Sequence, residues 1–334
     1  MGTPENHVFL AGDIGGTKTH LALYKIETGG PRTLATTTYS SQEVAGLEEM
    51  ISDILHHHKV PVAAACFGIA CPVVEGACSP TNLSWSVSEE SLRHQFNWQK
   101  VQILNDLATT AIAAPRLDSA ALTTLNPGQS KTGGNMVLVA PGTGLGQALL
   151  VADQGGYRPI ASEGGHADFA PNDEAEVELW RFLHKRFGHV SIERVLSGQG
   201  LVNIFDWLRS SDVREPIRAV QQALASEDPA AVITRFAIDD KDALCHETLQ
   251  RFCRIFGAVA GNLALTGMAT GGVFLGGGIP PKILPTLKKD AFMEGFTAKG
   301  RFSGFMATIP VQVICEDRAA LLGAAQRAYE LATQ

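Results

Sequence analysis

VFLAGDIGGTKTHLALYKI, Val8 to Ile26, sets two apolar runs on either side of a polar, glycine-rich turn that holds Asp13, Gly15, Gly16, Thr17 and Lys18. Two strands joined by a turn is the plainest reading of that pattern. Glycine reaches positive φ and lets other groups approach the backbone, so paired glycines beside Thr and Asp suggest main-chain N–H groups presented to an anion. A plain hairpin also accounts for the stretch. It contains neither GxxxxGK[ST] nor GxGxxG, and it leads into a strand where those motifs lead into a helix. The rest of the chain has to decide between the two.

The 334 residues suffice for about two domains, each with its own core. At 45% hydrophobic and 18% charged, the composition is that of an ordinary soluble globular protein, and the 34 glycines gather in a few clusters. A net charge of −7 argues against a main surface for nucleic acid or an acidic membrane, while permitting a local basic pocket for a small anion. The six cysteines include no CxxC pair and no zinc-site spacing, so reduced, mostly buried thiols are expected. MGTPENHVFL lacks a basic segment followed by a long apolar run, and no stretch has the length of a membrane span; the expected location is the cytoplasm.

After the opening hairpin, Val44, Leu47, Ile51 and Ile54 predict an amphipathic helix over Gln42 to His58, and VAAACFGI (Val62 to Ile69) predicts a buried parallel strand. Asn82 and Trp85 fall in the loop that follows, where a Trp more often packs over a core edge than contacts a ligand. Ser88 can cap the next helix. A further strand, Val101 to Leu104, stops at Asn105 and Asp106. A carboxylate there is either the N-cap of the next helix or a functional group, since ligands of open α/β sheets bind outside the carboxyl ends of strands. Residues 117 to 135 read as a turn-rich connection.

VLVAPGTGLGQALL, from Val137 to Leu150, then repeats the plan of strand, Gly/Thr turn and strand. Two such hairpins look like the openings of two related halves, each able to hold one side of a polyphosphate. Glu163 and His166 flank two glycines in a loop, which leaves both polar heads free to grip neutral hydroxyls. Glu193 begins a short helix that Ser191 can cap, and a first-turn helix acid is its simplest role. Ala243 to Met268 predicts a long buried helix whose glycines permit close contacts, and GGVFLGGGIPP a strand delivering a glycine turn to a ligand. A strand near Ile309 to Ile314 and a helix after Asp317 end the chain.

Together these pieces resemble the bacterial-type glucokinases of the hexokinase and actin-like ATPase superfamily. The resemblance rests on GDIGGTK (12–18), TNLSW (81–85), ILND (103–106), GTGLG (142–146), EGGHADFAP (163–171), HVSIERVLSG (189–198) and GGVFLGGGI (271–279), in that order. It implies an α/β fold of two ribonuclease-H-like domains flanking a central cleft. Their bounds would be a small domain at 1–116, a large one at 117–315, and a C-terminal helix, 316–334, returning to the small one. It implies ATP-dependent phosphorylation of glucose at the 6-hydroxyl, with ATP and Mg²⁺ as cofactors and commonly a homodimer.

Carried over by position, Gly12, Asp13, Ile14, Gly15, Gly16 and Thr17 form the first phosphate turn, with Asp13 near Mg²⁺ through water. Thr143, Gly144 and Gly146 line the second turn, and Gly271, Gly272, Gly276, Gly277 and Gly278 border adenine and ribose. Asn105, Asp106, Gly144, Glu163, His166 and Glu193 match glucose-contacting positions, and Asp106 matches the catalytic base. With the reference carboxyl pKa of about 3.9, Asp106 would be ionised at neutral pH with no unusual shift. Lys18 and His20 stand where relatives often carry Asn and Arg, and ADFAPND replaces the zinc motif of the related repressor and sugar-kinase group. The alternatives are a kinase for another hexose or with another phosphate donor, or a non-catalytic sugar-binding regulator on the same fold; the intact Asp106 speaks against the last.

Overall fold

Alternation along the first strand places Val8 and Leu10 on one face of a sheet and Phe9 and Ala11 on the other, and all four are buried. A strand apolar on both faces needs cover on both. The structure, a computed structural model, describes residues 8–27, 30–80, 82–153, 156–211 and 215–333; Thr81 of the TNLSW motif and residues 1–7, 28–29, 154–155, 212–214 and 334 lie outside them. It divides into two units, Met1–Asp118 with Glu316–Gln334, and Ser119–Cys315.

The first unit contains β1 (Val8–Ile14), β2 (Lys18–Glu27), β3 (Gly30–Ser40), α1 (Leu47–His58), β4 (Val62–Ile69), the short strands β5 (Ala77–Cys78) and β6 (Val87–Ser88), α2 (Glu89–Phe96), β7 (Val101–Asn105) and α3 (Asp106–Ala113). Its main sheet runs β3-β2-β1-β4-β7. The first three strands are antiparallel neighbours, and β1, β4 and β7 are parallel. Register aligns Ile14 with Ile69 and Ile69 with Asn105, so three parallel strands deliver their carboxyl ends to one edge. Leu47, Met50, Ile51 and Ile54 of α1 cluster with Leu10, Leu21, Leu23 and Phe67 on one face.

Two expectations change here. α1 starts at Leu47, not Gln42, because Ser41 and Gln42 are bound to the first glycine turn: Ser41 N–H donates to the Thr17 carbonyl (2.9 Å) and the Gln42 amide to the Gly16 carbonyl (3.3 Å). The cysteines are not all reduced. Cys71 and Cys78 form a disulfide, whereas Cys66, Cys245, Cys253 and Cys315 are free. A tight turn with paired Val74 and Ala77 backbones folds the segment back and leaves the two Cα atoms 6.3 Å apart.

The second unit contains β8 (Leu122–Asn126), β9 (Met136–Pro141), β10 (Leu145–Asp153), β11 (Gly156–Ser162), α4 (Glu174–Phe187), α5 (Gly198–Ser211), α6 (Arg218–Leu224), α7 (Pro229–Ile238), α8 (Ala243–Thr266), β12 (Gly272–Leu275), α9 (Leu284–Leu287), α10 (Asp290–Thr297), α11 (Ser303–Ala307) and β13 (Val311–Ile314). Its sheet runs β11-β10-β9-β12-β13-β8. The first five positions repeat the first unit's plan, three antiparallel neighbours followed by two parallel ones. β8 lies inside the stretch expected to be turn-rich; it is an edge strand whose Thr-rich sequence gains its order from pairing with β13. The glycines of α8 serve close packing, since β-carbons on Gly257 and Gly261 would meet the backbone of Phe292 and Phe296 in α10. No helix among the described residues is long and apolar enough to cross a membrane.

The last helix, α12 (Ala319–Thr333), belongs to the first unit and covers the sheet's other face. Leu321, Ala324, Ala325 and Ala328 pack on Phe9, Ala11, Ala22, Ala64 and Cys66. Gly323 faces the Thr109 backbone of α3, where a β-carbon has no room. Gly323→Leu should therefore lower stability by more than about 2 kcal/mol, beyond ordinary overpacking because backbone is the obstacle. Thermal unfolding checks this, and an unchanged midpoint would contradict the packing described.

Candidate active site

At the carboxyl edge of the first sheet, β1 ends in Asp13 and Ile14 and enters the turn at Gly15, whose N–H donates to the Lys18 carbonyl (2.9 Å). Neither Gly15 nor Gly16 adopts positive φ. They are there for close approach: a β-carbon on Gly15 would stand 3.1 Å from the Lys18 carbonyl oxygen, and one on Gly16 3.3 Å from the Asn82 Cβ. Gly12 and Ile14 are buried, with Phe67 and Leu21 filling the space over Gly12. Asp13, Gly15, Gly16 and Thr17 form the part a ligand can reach.

Asn105 and Asp106 stand at the same edge. Asn105, not Asp106, is the N-cap of α3: its Oδ1 accepts the Leu107 N–H (3.0 Å), while its amide donates to the Cys71 carbonyl (3.2 Å). Asp106 is the first helical residue, and its Oδ1 shares the Leu107 N–H (2.8 Å). Asp106 Oδ2 takes no hydrogen bond among the described residues. Burial raises the Asp106 carboxyl above its ordinary value, against the opposing pull of the Leu107 and Asp106 N–H groups. Asp13 is pushed up to about 6, first by burial and then by the negative charge of Asp106. The expectation that Asp106 titrates as an ordinary carboxylate is thus corrected by its half-buried setting.

In the second unit, the turn between β9 and β10 is closed by Gly142 N–H donating to the Gly144 carbonyl (2.8 Å), and Gly198 N–H at the start of α5 donates to the Gly142 carbonyl (2.8 Å). Glu193 lies in a 3₁₀ turn, Ile192–Arg194, behind Ser191, whose side chain makes no capping bond. Its Oε2 accepts the Leu145 N–H (2.9 Å) and occupies the place of a Gly144 side chain. Its role is therefore tied to the glycine turn and not to a helix dipole. Glu163 precedes and His166 closes a second 3₁₀ turn, Gly164–His166, with their side chains exposed and 4.0 Å apart. Gly165 packs on the Leu145 carbonyl, and Ile192 N–H donates to the Ala167 carbonyl (2.9 Å), so Glu163, His166 and Glu193 lie on adjoining turns.

Beside this group the second unit has a cavity of about 570 Å³, lined by Thr143, Gly198, Gln199, Asp228, Ile279 and Lys282 among others. Its size suits a small organic ligand. Gly276, Gly277 and Gly278 leave β12 at this end; Gly277 has φ 82° and lies against the Ala140 and Pro141 backbone. Gly271 and Gly272 enter β12 at the opposite end, where Gly271 N–H donates to the Asn135 carbonyl (2.9 Å). Close packing against the Gly134 and Asn135 carbonyls explains Gly271, and a backbone φ of 139° explains Gly272. Sequence reasoning passed over the cavity's Asp228 and Lys282 and the proximity of Asn82 to Gly16, because nothing local marks residues that only the fold brings to a site.

The glucokinase family model matches residues 10–331 of the chain. The glucokinase of Synechocystis sp. is 39% identical over 342 aligned positions, which cover 95% of this chain and 96% of the relative. Among solved structures, a glucokinase from an Antarctic psychrotroph superposes with TM-score 0.86 at 30% identity, covering 97% of this chain and 99% of the other. A ROK family glucokinase from Streptomyces griseus, in complex with glucose and AMPPNP, shares the fold with TM-score 0.62 at 19% identity, covering 97% and 99%.

Asp13 sets a test of the electrostatics. Its folded-state pKa is raised from 3.8 to about 6, so the native state binds the extra proton between those values and loses stability as pH rises through them. Asp13→Asn should therefore be more stable than the parent at pH 7, by on the order of 2 kcal/mol, with the difference vanishing near pH 4. Chemical denaturation at both pH values checks it; a variant less stable at pH 7 would refute the assignment.

Proposed function

The chain belongs to the glucokinase family and phosphorylates glucose, and on that premise we propose that ATP is the donor, the 6-hydroxyl the acceptor and Asp106 the general base. The observation that carries the assignment is the free Oδ2 of Asp106 at the edge where β1, β4 and β7 end in register. Phosphoryl transfer asks little covalent work of a protein: it needs an in-line acceptor, neutralised phosphates and a group to take the acceptor's proton. In this scheme the sugar oxygen forms a bond to the terminal phosphorus, the bond from that phosphorus to the bridging oxygen of ATP breaks, and ADP leaves. The hydroxyl proton passes to Asp106. Burial makes this carboxylate a stronger base, and the Leu107 N–H holds its other oxygen in place.

The proposal assigns sugar hydroxyls to Asn105 and Asp106 of the first unit and to Gly144, Glu163, His166 and Glu193 of the second. Each of the latter three side chains can accept or donate to a neutral hydroxyl, and a missing hydroxyl would leave its partner unpaired. The donor's phosphates are assigned to Asp13 and Gly15–Thr17 and to Thr143, Gly144 and Gly146. Its nucleoside is assigned to the cavity bordered by Thr143, Ile279 and the glycines leaving β12, a reading supported by the cavity's size. The Streptomyces griseus protein, crystallised with AMPPNP, supports an adenine nucleotide as donor.

Half-buried carboxyl oxygens suit Mg²⁺, which prefers one or two carboxylates plus nucleotide phosphates and keeps several waters. Among the described residues there is no group of three His, Cys, Asp or Glu to form a permanent cage. Asp13 would hold the ion through water, and the ion would neutralise phosphate charge. The repeated strand order of the two sheets supports their reading as ribonuclease-H-like halves of an actin-like ATPase fold, 1–116 and 117–315, with 316–334 returning to the first.

Steady-state assays of the parent and Asp106→Asn, with ATP, ADP and polyphosphate as donors and glucose, mannose and fructose as acceptors, test this scheme. Turnover should be fastest with ATP and glucose. Asp106→Asn should keep measurable glucose binding and lose roughly 10²–10⁴-fold in kcat. Near-normal turnover in the variant would remove Asp106 from the base role, and equal rates with polyphosphate would remove the nucleoside from the cavity.

A further inference from the structure

We infer that Asn82 is an additional donor-site residue, its side-chain amide donating a hydrogen bond to the phosphoryl group held over the Gly15–Thr17 turn, with Ser41 and Trp85 as positioning residues. This rests on the reading of that turn as a phosphate site. Asn82 comes from a loop between β5 and β6, yet its Cβ lies 3.3 Å and its Nδ2 3.8 Å from where a β-carbon on Gly16 would be. The side chain is exposed, and its amide makes no hydrogen bond among the described residues. It sits against the turn without bonding to it.

The loop and the turn are fixed to one another through a common support. Trp85 is buried, and its indole N–H donates to the Ser41 carbonyl (3.1 Å). Ser41 is fully buried; its N–H donates to the Thr17 carbonyl (2.9 Å), and its hydroxyl meets that of Thr19 (2.9 Å). The Gln42 amide donates to the Gly16 carbonyl (3.3 Å). In a trans peptide the carbonyl and the following N–H point in opposite directions. Drawing the Gly16 carbonyl toward Gln42 therefore directs the Thr17 N–H to the other side. The same residues that orient the turn's donors thus hold the Asn82 loop through Trp85.

A neutral amide suits this position. It offers two N–H donors and carries no charge, so it can approach phosphate oxygens where a carboxylate would repel them. Prepositioned donors aimed at developing charge typically matter more to kcat than to ground-state binding. Asn82 therefore acts on the transferred group, and the sugar's recognition is left to other residues.

Asn82→Ala and Asn82→Asp in the full chain test the assignment. Asn82→Ala should lower kcat, or kcat/KM for MgATP, by roughly 10-fold to 100-fold. Its glucose affinity, followed by intrinsic fluorescence, and its thermal midpoint should stay those of the parent. Asn82→Asp should lose more, through charge repulsion. Trp85→Phe, which keeps the ring packing and deletes one N–H, should lower kcat/KM for MgATP several-fold without changing glucose affinity. Unchanged donor kinetics in Asn82→Ala, or a loss confined to glucose affinity, would overturn the inference. Amide hydrogen exchange of residues 15–17 with and without MgATP separates the two levels. A turn that MgATP protects, together with an indifferent Asn82→Ala, removes Asn82 alone; an unprotected turn removes the phosphate reading and Asn82 with it.

Discussion

Two carboxyl groups that repel one another, Asp13 and Asp106, are kept at the same edge of one sheet, and much of the first unit serves to hold them there. Register between β1, β4 and β7 brings both to the edge, and burial denies each much of its hydration. A fold under no functional demand would spread such charges into water. In the scheme proposed above, the unfavourable arrangement would have two uses: a stronger base for the sugar hydroxyl, and an unsatisfied negative charge that a cation arriving with the nucleotide would relieve. Donor binding and the protonation of Asp13 are then linked.

The same scheme assigns the second unit the complementary need, which is to present donors and acceptors to neutral hydroxyls and to phosphates at close range. Two of the glycines at its turns stand where another group takes the space of a side chain. Glu193 does so at Gly144 and the Leu145 backbone at Gly165. In consequence Glu193 is part of the turn's structure: one oxygen ties the Leu145 N–H, and the carboxylate lies beside the turn. Gly12 and Gly271 follow the same steric rule against other parts of the protein. A glycine in a motif is thus not by itself a sign of ligand contact.

Much of this was legible in the sequence, for physical reasons that differ from element to element. The paired hairpins declare themselves because apolar runs around a Gly/Thr turn have few other ways to fold, and Ser88 caps its helix as a short oxygen-bearing side chain does. β8 was hidden because an edge strand of Leu, Thr and Asn has no strong period of its own. The Cys71–Cys78 bridge was hidden because its spacing follows from a local turn and not from a motif. Asn105 and Asp106 show the limit most clearly. Either could cap α3 on composition, and only the geometry gives the cap to Asn105 and frees an oxygen of Asp106. Gly276–Gly278 and Gly271–Gly272 read alike in sequence, yet a strand's length separates them.

The coupling of Asp13 to Asp106 is open to direct observation by carbon-13 NMR titration of the aspartate carboxyls in the ligand-free parent and in Asp106→Asn. Asp13 should titrate at about 6 in the parent, and lower in the variant, with the burial contribution remaining. An Asp13 that titrates near the ordinary value of about 3.9 in the parent, or at the same pH in both proteins, would contradict the account.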